Sequence, residues 1–199
     1  MTRPVTLSER LAGKAGDLAG LLEILLPGSS RAMGQLRKHV LDLCQDILAR
    51  TVVLRGPIGA GKSTLARVIA LLRYLHLLPV ETRRGILEPI RFDGSLRIDK
   101  RYLQWYEELG LMGLNKDLAD SQLFGVAEGA FTGAKERMGV FEAAAKGHDP
   151  RGSSSHGAKI TSGVVLLDEI GDLPPELQPK LLMVLTGTEV FRIGGEGNQ

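Results

Sequence analysis

Thr51-Val52-Val53-Leu54-Arg55-Gly56-Pro57-Ile58-Gly59-Ala60-Gly61-Lys62-Ser63 is the stretch that decides the fold. Its opening, Thr51–Leu54, is a short β-branched apolar run, the pattern of a strand buried in a sheet. Gly56 to Ser63 then fits G-x-x-x-x-G-K-[ST]. From Ser63 to Leu78 the chain reads as a helix ended by Pro79. Strand, glycine turn and helix make the opening half of a βαβ unit, and they predict an α/β protein with a parallel sheet.

Each loop position has a chemical reason. Phosphate oxygens are held by backbone N–H groups that point inward around a tight turn, where side chains would obstruct. Gly56, Gly59 and Gly61 leave that space open, with Pro57, Ile58 and Ala60 between them. The helix begins near Lys62 and turns its positive dipole end toward the phosphates. Lys62 adds a point charge, and the Ser63 hydroxyl is a hard oxygen ligand for Mg²⁺. Thr64 completes the expected nucleotide-binding set. The motif indicates nucleoside triphosphate binding and is silent about how the energy is used.

A second run, Val164-Val165-Leu166-Leu167, reads as another buried strand and is followed at once by Asp168-Glu169. Adjacent strands of a parallel sheet end at one edge, where such folds bind ligands. Asp168 is expected to share Mg²⁺ with Ser63 through the ion's water shell. Glu169 is expected to act as general base on an attacking water, with Lys62 as the other catalytic residue. That extra carboxylate favours hydrolysis over transfer. An acidic turn before a helix is the plainer reading of the same pair.

Length and composition narrow the class. At roughly 150 residues per domain, 199 residues make about one domain. Hydrophobic residues at 43% and charged residues at 24% exclude wholesale disorder. A net charge of +2 argues against a nucleic-acid coat or a basic tail. The one cysteine, Cys44, permits no internal disulfide and suits a reducing compartment, where a small buried hydrophobe is its expected role. Glycine, 25 of 199 residues, is in excess and implies unusual backbone shapes. Met1–Gly20 carries charge rather than the apolar centre of a signal peptide. The apolar runs Leu18–Leu26 and Val68–Leu78 are interrupted by Glu23 and by Arg73 and His76. Both fall short of the ~20 residues of a bilayer span, so a cytoplasmic protein with no membrane contact is expected.

Around these motifs, residues 1–26 read as one or two short helices with leucines at helical spacing, and Pro27-Gly28-Ser29-Ser30 as a breaker whose Ser29 or Ser30 caps the next helix. Ala32 to Ile47 reads as that helix, amphipathic, with Met33, Leu36, Val40, Leu43 and Ile47 on one side. The pattern weakens from Glu81 to Arg101, where an excess of arginine is either a solvated face or a phosphate or DNA contact. Residues 145–162, rich in glycine and serine, read as an exposed flexible loop. Pro174-Pro175 is expected to start a helix through about Leu185, distorted by Pro179. His39, His76, His148 and His156 show no ligand spacing with Cys44.

Between the two strands stand Ser121-Gln122-Leu123-Phe124-Gly125 and Gly129-Ala130-Phe131-Thr132-Gly133-Ala134, and after Asp168-Glu169 come Ile170–Leu182 and Phe191-Arg192-Ile193-Gly194-Gly195. Joined to the phosphate loop, these resemble the AAA+ ATPase domain of sigma-54-dependent transcription activators, whose hallmark is the GAFTGA string. Leu26–Met33 is similar to the family's opening segment and Gly139–Ala144 to the stretch after its loop. The resemblance covers roughly 26–70, 114–144 and 163–195. It implies a P-loop NTPase three-layer sandwich, binding and hydrolysing ATP with Mg²⁺ in a homo-oligomeric ring, a hexamer. In that family Gly129–Ala134 would touch sigma-54 within RNA polymerase holoenzyme, with Phe131 as exposed aromatic anchor, Thr132 as hydroxyl beside it, and Gly129 and Gly133 letting the loop change shape. The family reads GESGTGKE where this chain has GPIGAGKS, and His-Glu where it has Val126-Ala127-Glu128. It also carries an asparagine that restrains the catalytic glutamate, at the position of Gly110 here.

The expected organisation is a helical extension at 1–25 and a partial AAA+ domain at 26–199. The family continues beyond the matched stretch into a sensor, arginine fingers and a lid, and DNA binding there belongs to a separate domain. An arginine finger supplies about 10³–10⁵ in rate, so ATPase activity is expected of the full-length oligomer and little or none of 1–199 alone. Two other classes stay open: a nucleotide-binding interaction module without turnover, and an unrelated P-loop motor or kinase.

Overall fold

Side-chain caps set where the first helices begin. Asp17 accepts from the Ala19 amide at 3.0 Å and starts α1 (Leu18–Leu25). Ser30 accepts from the Met33 amide at 3.2 Å and starts α2 (Arg31–Gln45), so of the two candidate serines it is Ser30 that caps. Both helices come from a computed structural model that describes residues 17–46, 51–76, 78–87, 91–92, 96–97, 106–145, 163–187 and 192–194. The chain divides into two units, Met1–Tyr102 and Leu103–Gln199.

In the first unit α1 buries Leu18, Leu21, Leu22 and Leu25, the three- and four-residue spacing of one helical face. Arg37 fixes the break between α1 and α2: its guanidinium donates to the carbonyls of Leu26 at 2.8 Å and Gly28 at 2.9 Å. On α2, Val40 and Cys44 are buried and Met33, Leu36 and Leu43 half-buried, as the amphipathic pattern requires; Ile47 lies outside the described residues. α3 (Lys62–His76) buries Val68 to Leu72, Tyr74 and Leu75, and the three helices pack on one another. Cys44 sits in this packing with its thiol donating to the Ile69 carbonyl at 3.7 Å. Burial pushes the thiol up to about 11, against the pull of Arg73. Cys44 is thus the buried apolar side chain that its sequence context suggests. α3 ends before Pro79, and the chain turns at once into α4 (Val80–Leu87), a helix that the weakened pattern does not announce. β1 (Arg91–Phe92) and β2 (Leu96–Arg97) form a short antiparallel pair. The rest of the arginine-rich stretch, and residues 146–162 of the expected loop, lie outside the described residues.

One expectation fails here. Thr51–Leu54 forms no strand; Val52 and Val53 are 39% and 68% exposed. Strand propensity measures how well a side chain fits a half-buried, laddered surface. Among the described residues Thr51–Leu54 has no such ladder, and propensity alone does not make one.

The second unit is built on β3 (Tyr106–Gly110) and β6 (Val164–Asp168), paired in parallel from Tyr106↔Val164 to Gly110↔Asp168. A parallel pair needs a crossover. It contains α5 (Lys116–Phe124), the short antiparallel strands β4 (Gly125–Val126) and β5 (Arg137–Met138), and α6 (Val140–Ala145). The core gathers Leu109, Leu111, Leu123, Phe124, Leu173, Leu177 and Leu181, with Leu167 and Phe141 against it. Val164–Leu167 is half-buried rather than buried, because among the described residues β6 is paired on one edge only. After β6 the expected single helix divides. Tight turns at Ile170–Asp172 and Pro175–Leu177 precede α7 (Gln178–Leu185), and Pro179 falls in the first turn of α7, where its missing N–H costs nothing. The pairing of helices with a parallel strand ladder is the α/β class read from the sequence.

Candidate functional site

The phosphate loop forms where the motif places it. Lys62 is the first residue of α3, and the Gly61 carbonyl accepts from the Leu65 amide at 2.8 Å, so the helix N-terminus opens directly onto the loop. Gly59 and Gly61 hold φ of +78° and +82°, values that favour glycine, and a Cβ added to either would meet nothing within 4 Å. The loop is therefore glycine-shaped with open space beside it, which is what a group bound by bare amides needs. Lys62 folds back over the loop, donating to the carbonyls of Gly56 and Pro57 at 3.1 Å each. Ile58, at the tip, is 97% exposed. Ser63 and Thr64 are half-buried in the first turn of the helix. These residues fit a triphosphate and its cation: amides and an ammonium for the anion, a hydroxyl for the ion.

Asp168 closes β6, half-buried, and its Oδ1 accepts from the Glu169 amide at 3.0 Å. Glu169 is exposed and is the one described non-glycine residue with positive φ, at 53°. A left-handed glutamate costs of order 1 kcal/mol or more. The conformation is held from both sides, by the Asp168 carboxylate on its amide and by the Asp172 amide, which donates to its carbonyl at 2.9 Å. Directly across the ladder from Asp168 is Gly110, which offers no side chain.

The Gly129–Ala134 string occupies the connection between β4 and β5, so it is the tip of a hairpin. Internal bonds shape it: Ala134 N–H to Phe131 O at 2.9 Å, Ala130 N–H to Ala127 O at 3.3 Å and Gly129 N–H to Ala134 O at 3.4 Å. Gly129 and Gly133 have φ of +76° and +81° with open space around them. Phe131 is 59% exposed and Thr132 is exposed beside it. A large apolar ring displayed on a polar turn is the form of a partner anchor.

The root of this hairpin is not evident from the sequence. Gly125 and Gly139 bring the two arms so close that a Cβ on Gly125 would lie 2.5 Å from the Arg137 carbonyl. Ile193 pairs in parallel with Val126. Arg192, next to it, donates to both carboxylate oxygens of Glu142 at 2.8 and 2.6 Å and also to Glu136. Glu142 first, then Glu136, push the guanidinium's pKa further up. The signal is present as Gly125, Gly139 and Arg192-Ile193-Gly194, but only long-range pairing reveals that these residues meet.

A sequence model of the sigma-54 interaction domain matches residues 96–148 and 153–199, half of the chain. The chain belongs to the sigma-54 interaction domain family. The matched stretch contains the Gly129–Ala134 hairpin and the Asp168-Glu169 pair and begins after the phosphate loop. Relatives extend the likeness. A Nif-specific regulatory protein of Rhizobium leguminosarum bv. trifolii is 35% identical over 162 residues, covering 79% of this chain and 34% of that one. The DNA-binding transcriptional regulator NtrC of Proteus hauseri is 38% identical over 169 residues, with coverage of 84% and 26%. The DNA-binding transcriptional activator HyfR of Escherichia coli (strain K12) is 35% identical over 170 residues, with coverage of 83% and 18%. Alignments of that extent necessarily include Gly56–Ser63. This sigma-54 interaction domain chain spans about a third or less of the length of these curated relatives. Among the described residues, no helix is long and apolar enough to cross a membrane.

Proposed function

We propose that this chain is the ATP-binding and ATP-hydrolysing core of a sigma-54-dependent transcriptional activator, with the AAA+ three-layer P-loop fold over residues 26–199. The observation that carries the proposal is the GAFTGA hairpin: a braced stalk ending in an exposed Phe131 and Thr132. The amides and side chains of Gly56–Thr64 would hold the triphosphate and Lys62 would neutralise it; Ser63 and Asp168 are each proposed as an oxygen ligand for Mg²⁺. ATP supplies the phosphoanhydride bond whose hydrolysis drives the work. Glu169, an exposed residue directly after β6, would orient the attacking water and accept its proton. Phe131 and Thr132 dock on sigma-54 in the holoenzyme. The working form is a cytoplasmic homo-oligomeric ring, and DNA is contacted by a separate domain of the longer protein.

Gly110 favours a second reading. Gly110, level with Asp168 in the ladder, brings no side chain where the resembled family carries the asparagine that restrains its catalytic glutamate. This fits a module that binds nucleotide without turning it over. One experiment separates the two. Full-length protein is tested for capture of sigma-54 holoenzyme in ATP with a transition-state phosphate mimic, and for turnover. Loss of the Thr132 hydroxyl should weaken capture about tenfold, and Glu169→Gln should keep nucleotide binding while hydrolysis falls about 10²–10⁴-fold. Capture indifferent to Thr132→Ala, or normal turnover in Glu169→Gln, removes the first reading. Binding without turnover in the wild type selects the second.

A further inference from the structure

We propose that Gly194 is a positioning residue that seats the Gly129–Ala134 loop; the functional weight of this seat rests on the reading of that loop as the partner contact. The Ile193 amide donates to the Gly125 carbonyl at 3.0 Å, and the Ile193 carbonyl accepts from the Ala127 amide at 2.9 Å. Together with the Val126↔Ile193 bridge, this fixes Ile193 alongside β4. The next residue, Gly194, comes up against Ala130 of the loop. A Cβ there would lie 2.5 Å from the Ala130 Cβ and 2.8 Å from its Cα, and Gly194 holds φ of +71°. Only a residue without a side chain fits at 194 against Ala130.

The anchoring decides which side would yield to added volume. Arg192, two residues back, is held on both oxygens of Glu142 in α6, and Ile193 is held by two backbone bonds. Among the described residues, the hydrogen bond of the Ala130 amide stays within its turn, reaching Ala127 at 3.3 Å. The loop moves, not the seat. Phe131 comes directly after Ala130 and is 59% exposed, so it has little packing of its own to hold it against that shift. The missing side chain at Gly194 therefore sets where the ring is presented.

Amide hydrogen exchange on the full chain tests this without reference to any partner. Gly194→Ala should raise exchange at Ala127, Ala130 and Ala134 about tenfold and leave the β3–β6 ladder unchanged. Gly113→Ala is the control, since Gly113 has φ of +73° but nothing within 4 Å of its Cβ position; it carries the backbone strain without the collision and should leave the loop amides unaltered. Adding Ala130→Gly to Gly194→Ala removes the closest contact and should restore part of the protection. Loop exchange equal to wild type in Gly194→Ala, or no recovery in the double variant, overturns the proposal. If Gly194→Ala alone does not fold, recovery of folding in the double variant supports the seat and its absence overturns it. Capture of sigma-54 is scored separately: if Gly194→Ala shows these exchange changes while wild-type protein captures nothing, the seat stands and the partner reading is lost.

Discussion

The two glycine loops are alike at their tips and opposite at their roots. Gly59 and Gly61 in one, and Gly129 and Gly133 in the other, all hold positive φ with nothing within 4 Å of a Cβ position. The phosphate loop rises from Thr51–Leu54, an exposed stretch with no ladder among the described residues. The GAFTGA loop rises from strands pressed together at Gly125 and Gly139, braced by Ile193 and by Arg192 on Glu142. Open glycines let either tip take its left-handed turns without collision. Jammed glycines at a root make a stalk that holds its tip at a fixed place. On the proposed function one loop receives and the other points, and the same residue type serves both because its consequence depends on what lies where the Cβ would be.

The sharpest way to break this contrast is Gly139→Ala. The added methyl would strike backbone, including the Leu123 carbonyl and, at 2.6 Å, the Gly125 nitrogen. Overpacking against backbone should cost about 3 kcal/mol, read as a lowered urea midpoint of the second unit with α1–α3 unaffected. A value near zero would mean that the root is not tight and that the contrast fails. Lys62→Ala addresses the other loop and should act on ligand rather than on fold. Removing one charged donor costs about 1.5–3 kcal/mol, a tenfold to hundredfold loss of nucleotide affinity by titration. Unfolding should be nearly unchanged, because the bonds of Lys62 to Gly56 and Pro57 are exposed. Strong destabilisation would show that the lysine braces the loop instead of serving a ligand.

Local chemistry is legible in the sequence and long-range pairing is not. The phosphate loop, the cap at Ser30, the apolar faces of α1 and α2, the strand before Asp168 and the exposure of Phe131 each depend on residues within a turn or two of one another. Thr51–Leu54 misleads because a short β-branched apolar run looks the same whether or not a ladder exists beside it. β4 and β5 are two residues each, too short to leave a period, and are held by Gly125 and Gly139 from opposite sides of the loop. Pro175 and Pro179 each stand in the first turn of a helical element, but the spacing between them demands a separate tight turn that neither alone implies. Gly110 stands out in the sequence for the side chain it lacks, and the ladder puts it level with Asp168.

The enclosed thiol of Cys44 has a practical consequence. As the chain's single sulfhydryl, kept protonated at neutral pH and out of reach of solvent, it reacts with alkylating reagents only in molecules whose helices have parted. Its labelling rate is a built-in clock for opening of α1–α3. A dye placed on a cysteine introduced at the hairpin tip would therefore report that tip alone.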